Sequence, residues 1–304
     1  MLIKYGTRDM MIDVTSICNT VLKKDNYIMI PSSDQDRSRH FSDPLPGTLK
    51  SVFIIDEDNT ITEYNSDISI YIDVSLNKIV TENIPYSIKS VDDKLKFIHS
   101  NLKMVHGSLL EEVPEQKMAV RYLTGDERVL EIGGNVGRNS LVISYILGQK
   151  DNNNLVVLEC DTAIYNQLNE NKELNSMQFH VENSALSKRN LIQIGWDTIV
   201  SDTLLPGYKS VTSITYEQLV SKYSIEFDTL VLDCEGAFYY IIQDMPEVLD
   251  NIKLIIMEND YNIINHKLYI DSVLNSKNFK VDYSQGGGWG PCANNFFEVW
   301  VKSS

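Results

Sequence analysis

The stretch Arg128-Val-Leu-Glu-Ile-Gly-Gly-Asn-Val-Gly-Arg-Asn-Ser-Leu-Val-Ile-Ser-Tyr-Ile-Leu147 constrains the fold of this chain more than any other. Val129 to Ile132 are apolar or β-favouring and stop at Gly133 and Gly134, while Leu141, Ile143, Ile146 and Leu147 recur at near-helical spacing. The pattern predicts a strand, a tight turn and a helix. Gly133 and Gly137 let the backbone come close to a ligand at the helix N-terminus, where unpaired N–H groups and the positive dipole end favour a carboxylate or a phosphate. Such a turn suits a nucleotide-like molecule.

The dinucleotide fingerprint G-x-G-x-x-G is absent; the residues from Glu131 to Gly137 read E-x-G-x-N-x-G. A carboxylate at the strand's end repels a pyrophosphate and suits a ligand with an ammonium group, such as the amino acid half of S-adenosylmethionine. About twenty residues on, Val156 to Asp161 reads as a second strand ending in Glu159, where an acid hydrogen-bonds ribose hydroxyls. Two carboxylates and two glycines then fit one cofactor. The bland alternative is an ordinary strand-to-helix turn beside a surface acid.

At 304 residues and 43% hydrophobic content, the chain can bury one core of ordinary size plus a smaller accessory one. No N-terminal stretch has the layout of a secretory signal, and no apolar run approaches the roughly 18 residues that span a bilayer. A soluble, cytoplasmic protein with no membrane partner is expected. Cys18, Cys160, Cys234 and Cys292 lie far apart without a C-x-x-C pair, so they read as reduced thiols. A formal charge of −15 disfavours nucleic acid and anionic lipid as partners, because long-range steering is repulsive.

Short β-favouring runs fill residues 1–95: Met1 to Tyr5, Met11 to Val14, Tyr27 to Ile30, Leu49 to Ile55, Ile61 to Tyr64 and Ile68 to Val74. They predict a small all-β domain, at a spacing that also suits a sandwich, with Phe41 to Gly47 as a turn-rich loop. Asp34, Asp36, Arg37, Arg39 and His40 cluster in a loop of it, either as a ligand site or, more often for such a run, as a solvated one. Tyr5-Gly6, Asp13-Val14-Thr15 and Asp43-Pro44 with Pro46-Gly47 and Lys50 resemble a recurring β-module of unclear role.

A second domain is expected over residues 96–304. Glu111 to Leu123 reads as a helix at the rim of the cofactor cleft, with Pro114 in its first turn. Ala163 to Leu174 is helical and Gln178 to Glu182 a third strand, so strand and helix alternate as in a parallel sheet. Asn190 to Ile199 with Lys209 to Thr215 read as an inserted hairpin, followed by a short helix from Tyr216 to Tyr223. Phe227 to Gly236, Leu254 to Asp260 and Phe296 to Val301 are further strands.

From about residue 105 to 302 the chain resembles S-adenosylmethionine-dependent methyltransferases of the FkbM type. Glu131-Ile-Gly-Gly-Asn-Val-Gly137 is similar to that family's D-x-G-A-N-x-G, and Glu159 with Leu168, Asn171 and Asn175 to its E-P…L…N…N. Ala185-Leu-Ser187 matches A-L-S, Asp233-Cys-Glu-Gly-Ala237 matches D-x-E-G-A, and Glu258 falls at the closing acid of the fifth strand. Departures are Glu131 for Asp, Cys160 for Pro, and Phe238 where a Glu is common. The resemblance implies a class I methyltransferase (Rossmann-like) α/β fold, a seven-stranded sheet with its last strand antiparallel. It also implies methyl transfer to a hydroxyl oxygen of a sugar, a glycan or a similar polar small molecule, with S-adenosylmethionine as cofactor. Carried over, its cofactor-binding positions are Glu131, Gly133, Asn135, Gly137, Glu159, Cys160, Ser184, Ala185 and Asp233.

A hydroxyl acceptor needs its oxygen placed in line and a base within reach of its proton. Asp233, Glu235, Glu258, Asp260 and His266 are the candidates, at or just after carboxyl ends of strands, where open α/β sheets bind ligands. Each has a plain reading too: Asp233 and Glu235 as helix caps, Glu258 as a polar strand end, His266 as a surface residue. Asp233, Glu235 and Glu258 carry oxygens that Mg²⁺ accepts, but acids at strand ends are common without metal, and no metal site is assigned. Ser284 to Pro291 is glycine-rich and carries Trp289, which a mobile loop could present to a flat acceptor. The competing functions are a nucleic-acid methyltransferase (RNA cap or 2'-O), which needs a basic cleft, and a non-catalytic binding protein, which would have lost motif residues.

Overall fold

The computed structural model describes residues 1–24, 27–56, 58–66, 69–74, 77–79, 90–195 and 197–303. The chain divides into two compact units, Met1–Leu102 and Lys103–Ser304.

In the first unit, Leu2–Gly6 lies between Met11–Asp13 and Ser51–Ile55, with Ile61–Tyr64 outside. A second sheet sets Tyr27–Ile30 between Lys23–Lys24 and Ile70–Asp73, with Lys78–Ile79 outside. All these pairings are antiparallel. Alternate side chains of both sheets, among them Ile3, Tyr5, Val52, Ile28, Ile30 and Ile72, share one core. The expected run Ile68 to Val74 is a strand from Ile70; Ile68 lies outside the described residues.

The unit is not built of strands alone: Thr15–Thr20, Asp34–Phe41 and Val91–Ser100 are helices. The segment expected as a charged loop is the second of these. Ser33 Oγ accepts the Asp36 N–H at 3.2 Å, Asp34 and Asp36 stand in the first turn, and Arg39 and His40 in the last, a charge order that suits the helix dipole. Of its candidate ligand residues, Asp36 and Arg39 pair with each other at 2.8 Å, and Asp34 and Arg37 are engaged within the unit. Buried Arg37 donates to the carbonyl oxygens of Pro31 (2.8 Å) and Tyr64 (3.4 Å). Lys50, 2% exposed, bonds Asp34 and Asp43 at 3.0 Å each and donates to the Thr48 carbonyl at 2.7 Å, while Tyr5 OH donates to Asp34 at 2.6 Å. The motif residues Tyr5, Asp43 and Lys50 thus hold the Pro-Gly loop onto the sheet.

The second unit is organised by a seven-stranded sheet: β1 (Val129–Ile132), β2 (Leu155–Leu158), β3 (His180–Glu182), β4 (Thr229–Leu232), β5 (Leu254–Glu258), β6 (Phe279–Gln285) and β7 (Phe297–Lys302). The order is β3-β2-β1-β4-β5-β7-β6. β1 to β5 are parallel to one another, and β7 enters antiparallel between β5 and β6. This is the sheet of the class I methyltransferase fold. β1, β2 and β4 are buried at every residue, which is why they read as continuous apolar runs rather than as alternation.

The helices are α1 (Val113–Tyr122), α2 (Arg138–Gly148), α3 (Thr162–Leu174), α4 (Tyr216–Tyr223), α5 (Phe238–Asp244) and α6 (Ile264–Ser276). α4 starts on a capping box, Thr215 and Gln218 each satisfying the other's backbone N–H. The expected hairpin gains a strand: Leu191–Ile194 is central in a three-stranded antiparallel sheet, between Asp197–Val200 and Lys209–Val211. Among the described residues, no helix is long and apolar enough to cross a membrane.

Candidate functional site

The turn after β1 is fixed by packing on both sides. A Cβ on Gly133, whose φ is 90°, would lie 1.6 Å from the Asp233 carbonyl oxygen, and one on Gly134 would lie 2.2 Å from Val157 Cγ1. Only glycine lets β1 lie this close to the ends of β4 and β2. Asn135 follows in the left-handed region, at φ 46°. Its N–H donates to Glu159 Oε2 at 3.0 Å, and the Asp161 N–H donates to Glu159 Oε1 at 2.8 Å, so one carboxylate ties the turns after β1 and β2 together.

Asn171 of α3, fully buried, clamps the same turn from below. Its Nδ2 donates to the carbonyl oxygens of Val136 and His106, both at 2.9 Å, and its Oδ1 accepts the Val105 N–H at 2.9 Å. Asn175 does the same for Lys103, accepting its N–H at 2.8 Å and donating to its carbonyl at 2.7 Å.

Above these turns, at the carboxyl ends of the strands, lies a cavity of about 950 Å³. Of the candidates, Gly133, Asn135, Glu159, Cys160, Ser184 and Ala185 line it, as do Asp233, Glu235, Glu258, Asp260 and His266. Ser184 is 1% exposed and its Oγ has no partner. Three expected residues do not line the cavity. Glu131 is buried within β1, beside Ser140 and Asn139 of α2, with Oε2 unpartnered. Gly137 gives α2 its N-terminal turn at φ 92° against Leu168. Trp289 leans on Phe296 instead, ring centroids 6.4 Å apart.

Sequence reasoning missed two acids of the wall, Glu112 and Glu115, which α1 brings over the cavity. Their spacing of three on a helix expected to cover the rim was the available signal. It also missed Asp197 and Arg189, which the inserted segment contributes.

Crowding of acids dominates the electrostatics. Burial first, then the charges of Glu112, Asp260, Glu115 and Glu235, raises Asp233 well above the carboxylate range. Burial, the charge of Asp233 and the neighbouring Glu115 carboxyl push Glu258 up to about 10. Burial and Glu235 push Asp260 up to about 7, against the Gly236 N–H that it accepts at 2.9 Å. Glu159 is raised by burial and restrained by the two N–H groups it accepts. Among the described residues, no group of three or more His, Cys, Asp or Glu is arranged to hold a metal ion. A cavity crowded with acids favours a cationic ligand.

No family model matches the chain, and no curated protein does. Among solved structures it is similar to an O-methyltransferase from Bacillus cereus in complex with SAH, at 12% identity over 73% of this chain and 95% of that one, with a TM-score of 0.40. A putative O-methyltransferase from Klebsiella pneumoniae is 15% identical over 73% and 92%, with a TM-score of 0.39. A ribosomal protein L11 methylase from Lactobacillus delbrueckii subsp. bulgaricus is 11% identical over 66% and 84%, with a TM-score of 0.40.

Proposed function

We propose that this chain is an S-adenosylmethionine-dependent O-methyltransferase of the FkbM type, acting on a hydroxyl of a sugar, a glycan or a similar polar small molecule. The observation that carries the reading is one cavity that joins a glycine turn, a ribose-type acid and an orphaned hydroxyl to a crowd of strand-end acids. Gly133 and Asn135 would hold the cofactor's amino acid half. Glu159 retains lone pairs for ribose hydroxyls beyond the two N–H groups it accepts, and Ser184 Oγ needs a partner that an adenine edge can supply. S-adenosylmethionine supplies a methyl group on a positive sulfur.

The protein's part is to place the acceptor hydroxyl and to take its proton. Asp233 is the base in this reading and Glu235, open to the cavity, orients the acceptor. An Asp233 carboxyl held protonated by burial and neighbouring acids is no base, so a positive ligand beside it is needed to ionise it. The site thereby becomes competent with the cofactor present. The alternative of a nucleic-acid acceptor is disfavoured by the wall itself, where acids far outnumber Arg189, and that guanidinium is held by Asp244 at 2.5 and 2.8 Å.

Incubation with methyl-labelled S-adenosylmethionine, followed by mass spectrometry of glycan, RNA and protein fractions, tests the reading. Label in the glycan or small-molecule fraction is expected. Label confined to RNA or protein overturns the acceptor class.

A further inference from the structure

The cavity carries more carboxyl groups than proton removal uses. Asp260 after β5, Glu235 in the turn after β4 and Asp197 of the inserted sheet come from three separate segments and all line it. The Gly236 N–H that Asp260 accepts at 2.9 Å sets Asp260 against the turn that carries Glu235, and the charge of Asp197 in turn raises Glu235. Asp260 is only 4% exposed; one of its oxygens accepts the Gly236 N–H, and the other, Oδ2, has no partner.

The guanidinium at hand is engaged elsewhere. Arg189 forms its two bonds with Asp244, and the His266 ring is stacked on Tyr239, centroids 3.8 Å apart and 5° from parallel. Three acids so placed repel one another until a ligand brings positive charge. The same wall is aromatic. Tyr261 lies against the Glu235-Gly236 turn, 3.6 Å from where a Gly236 Cβ would stand, and Tyr240 also lines the cavity. Carboxylates together with ring faces suit an ammonium, which gains from both; a hard metal ion gains nothing from rings, and no metal-holding group is found among the described residues.

We propose that the acceptor carries a protonated amino group, seated by Asp260, Glu235 and Asp197, beside the hydroxyl that receives the methyl group. The acceptor class is then an amino sugar or an amino polyol rather than a neutral glycan. This rests on the methyl-transfer reading given above. Glu235 and Asp197, at the open rim, draw the ammonium in, and buried Asp260 takes it at the floor.

The test is a calorimetric titration of the full chain, saturated with S-adenosylhomocysteine, at a pH where the amine is protonated. Methyl glucosaminide, methyl N-acetylglucosaminide and methyl glucoside are the probes, equal in ring and different in charge. Methyl glucosaminide is expected to bind at least about tenfold tighter than the other two, the effect of one charge-assisted hydrogen bond. That preference should fall to near parity in Asp260→Asn, which keeps an acceptor for the Gly236 N–H, and shrink in Asp197→Asn, which changes only an exposed position of the inserted sheet. Equal binding of the three glycosides, no binding of the amine, or a preference that survives both substitutions overturns the proposal. If S-adenosylhomocysteine itself does not bind, the methyltransferase reading falls and this one with it; if it binds and the amine preference is missing, only this one falls.

Discussion

The Glu159 carboxylate accepts the backbone N–H of Asn135 at 3.0 Å, joining the turn after β2 to the glycine turn after β1 across the mouth of the cavity. Glu159 therefore has two tasks in the proposed site, holding the turn and meeting the ribose. Glu159→Ala removes both, and hydrogen bonds to a charged acceptor contribute roughly 1.5–3 kcal/mol each, so the affinity for S-adenosylmethionine should drop by about tenfold or more. Isothermal calorimetry on the folded variant checks this; an unchanged affinity removes Glu159 from the cofactor site.

Asp233→Asn and Glu235→Gln keep shape and remove charge. Base catalysis contributes about 10²–10⁴-fold, so Asp233→Asn should lose most turnover on the true acceptor while binding S-adenosylhomocysteine, whose sulfur is uncharged, nearly as well as the wild type. Glu235→Gln should act mainly through acceptor binding. Full activity in both variants would move the base to Glu258 or His266, both of which line the same cavity.

Stability should decline as pH rises. Burial first, with the charge of Glu112 adding, pushes Glu131 up to about 8, against weaker support from Ser140 and Asn139. Between the ordinary glutamate range and about pH 8 the folded protein keeps a proton that the unfolded chain has released, so stability is fully present at the acidic end of that window and is lost toward pH 8. Asp260 and Glu258, also raised, act in the same direction. The melting temperature of the ligand-free protein should fall from about pH 5.5 to 8.5. Glu131→Gln, neutral throughout, should show a flatter profile and melt above the wild type at the alkaline end; parallel profiles would count against this account.

Lys50 should matter to the first unit alone. Its ammonium lies 3.0 Å from both Asp34 and Asp43, and removing it leaves two partly exposed carboxylates side by side without their counter-charge. Lys50→Met should lower the melting transition of Met1–Leu102 and leave cofactor affinity unchanged, as differential scanning calorimetry paired with a binding titration would show.

A chain beginning at Lys103 should melt cooperatively and bind S-adenosylmethionine, since the clamps from Asn171 and Asn175 onto residues 103–106 all lie within the second unit. Starting near residue 96 instead keeps a fragment of the helix Val91–Ser100, whose Asp93 is held by Lys24 and Tyr27 of the first unit. Loss of cofactor binding in the Lys103 form would contradict the assignment of the site to this unit.

What the sequence determined by itself is local. Val129 to Ile132, Gly133 and the spacing of Leu141, Ile143, Ile146 and Leu147 specified strand, turn and helix within twenty residues, because periodicity and glycine act through neighbours along the chain. Glu159 at its strand end and the short helix after Thr215 were legible for the same reason. The helix Asp34–Phe41 was not, since its signal is a capping serine and a charge gradient rather than an apolar stripe. Only the tertiary structure decided that β7 enters between β5 and β6, and that Glu131 is buried under α2 while Trp289 turns away from the cavity. It also decided which acids share a cavity: Glu115 and Glu258, far apart in sequence, both line it, and each adds to the negative charge around the other. Charges interact through space and burial, and neither distance nor desolvation is written in the order of residues along a chain.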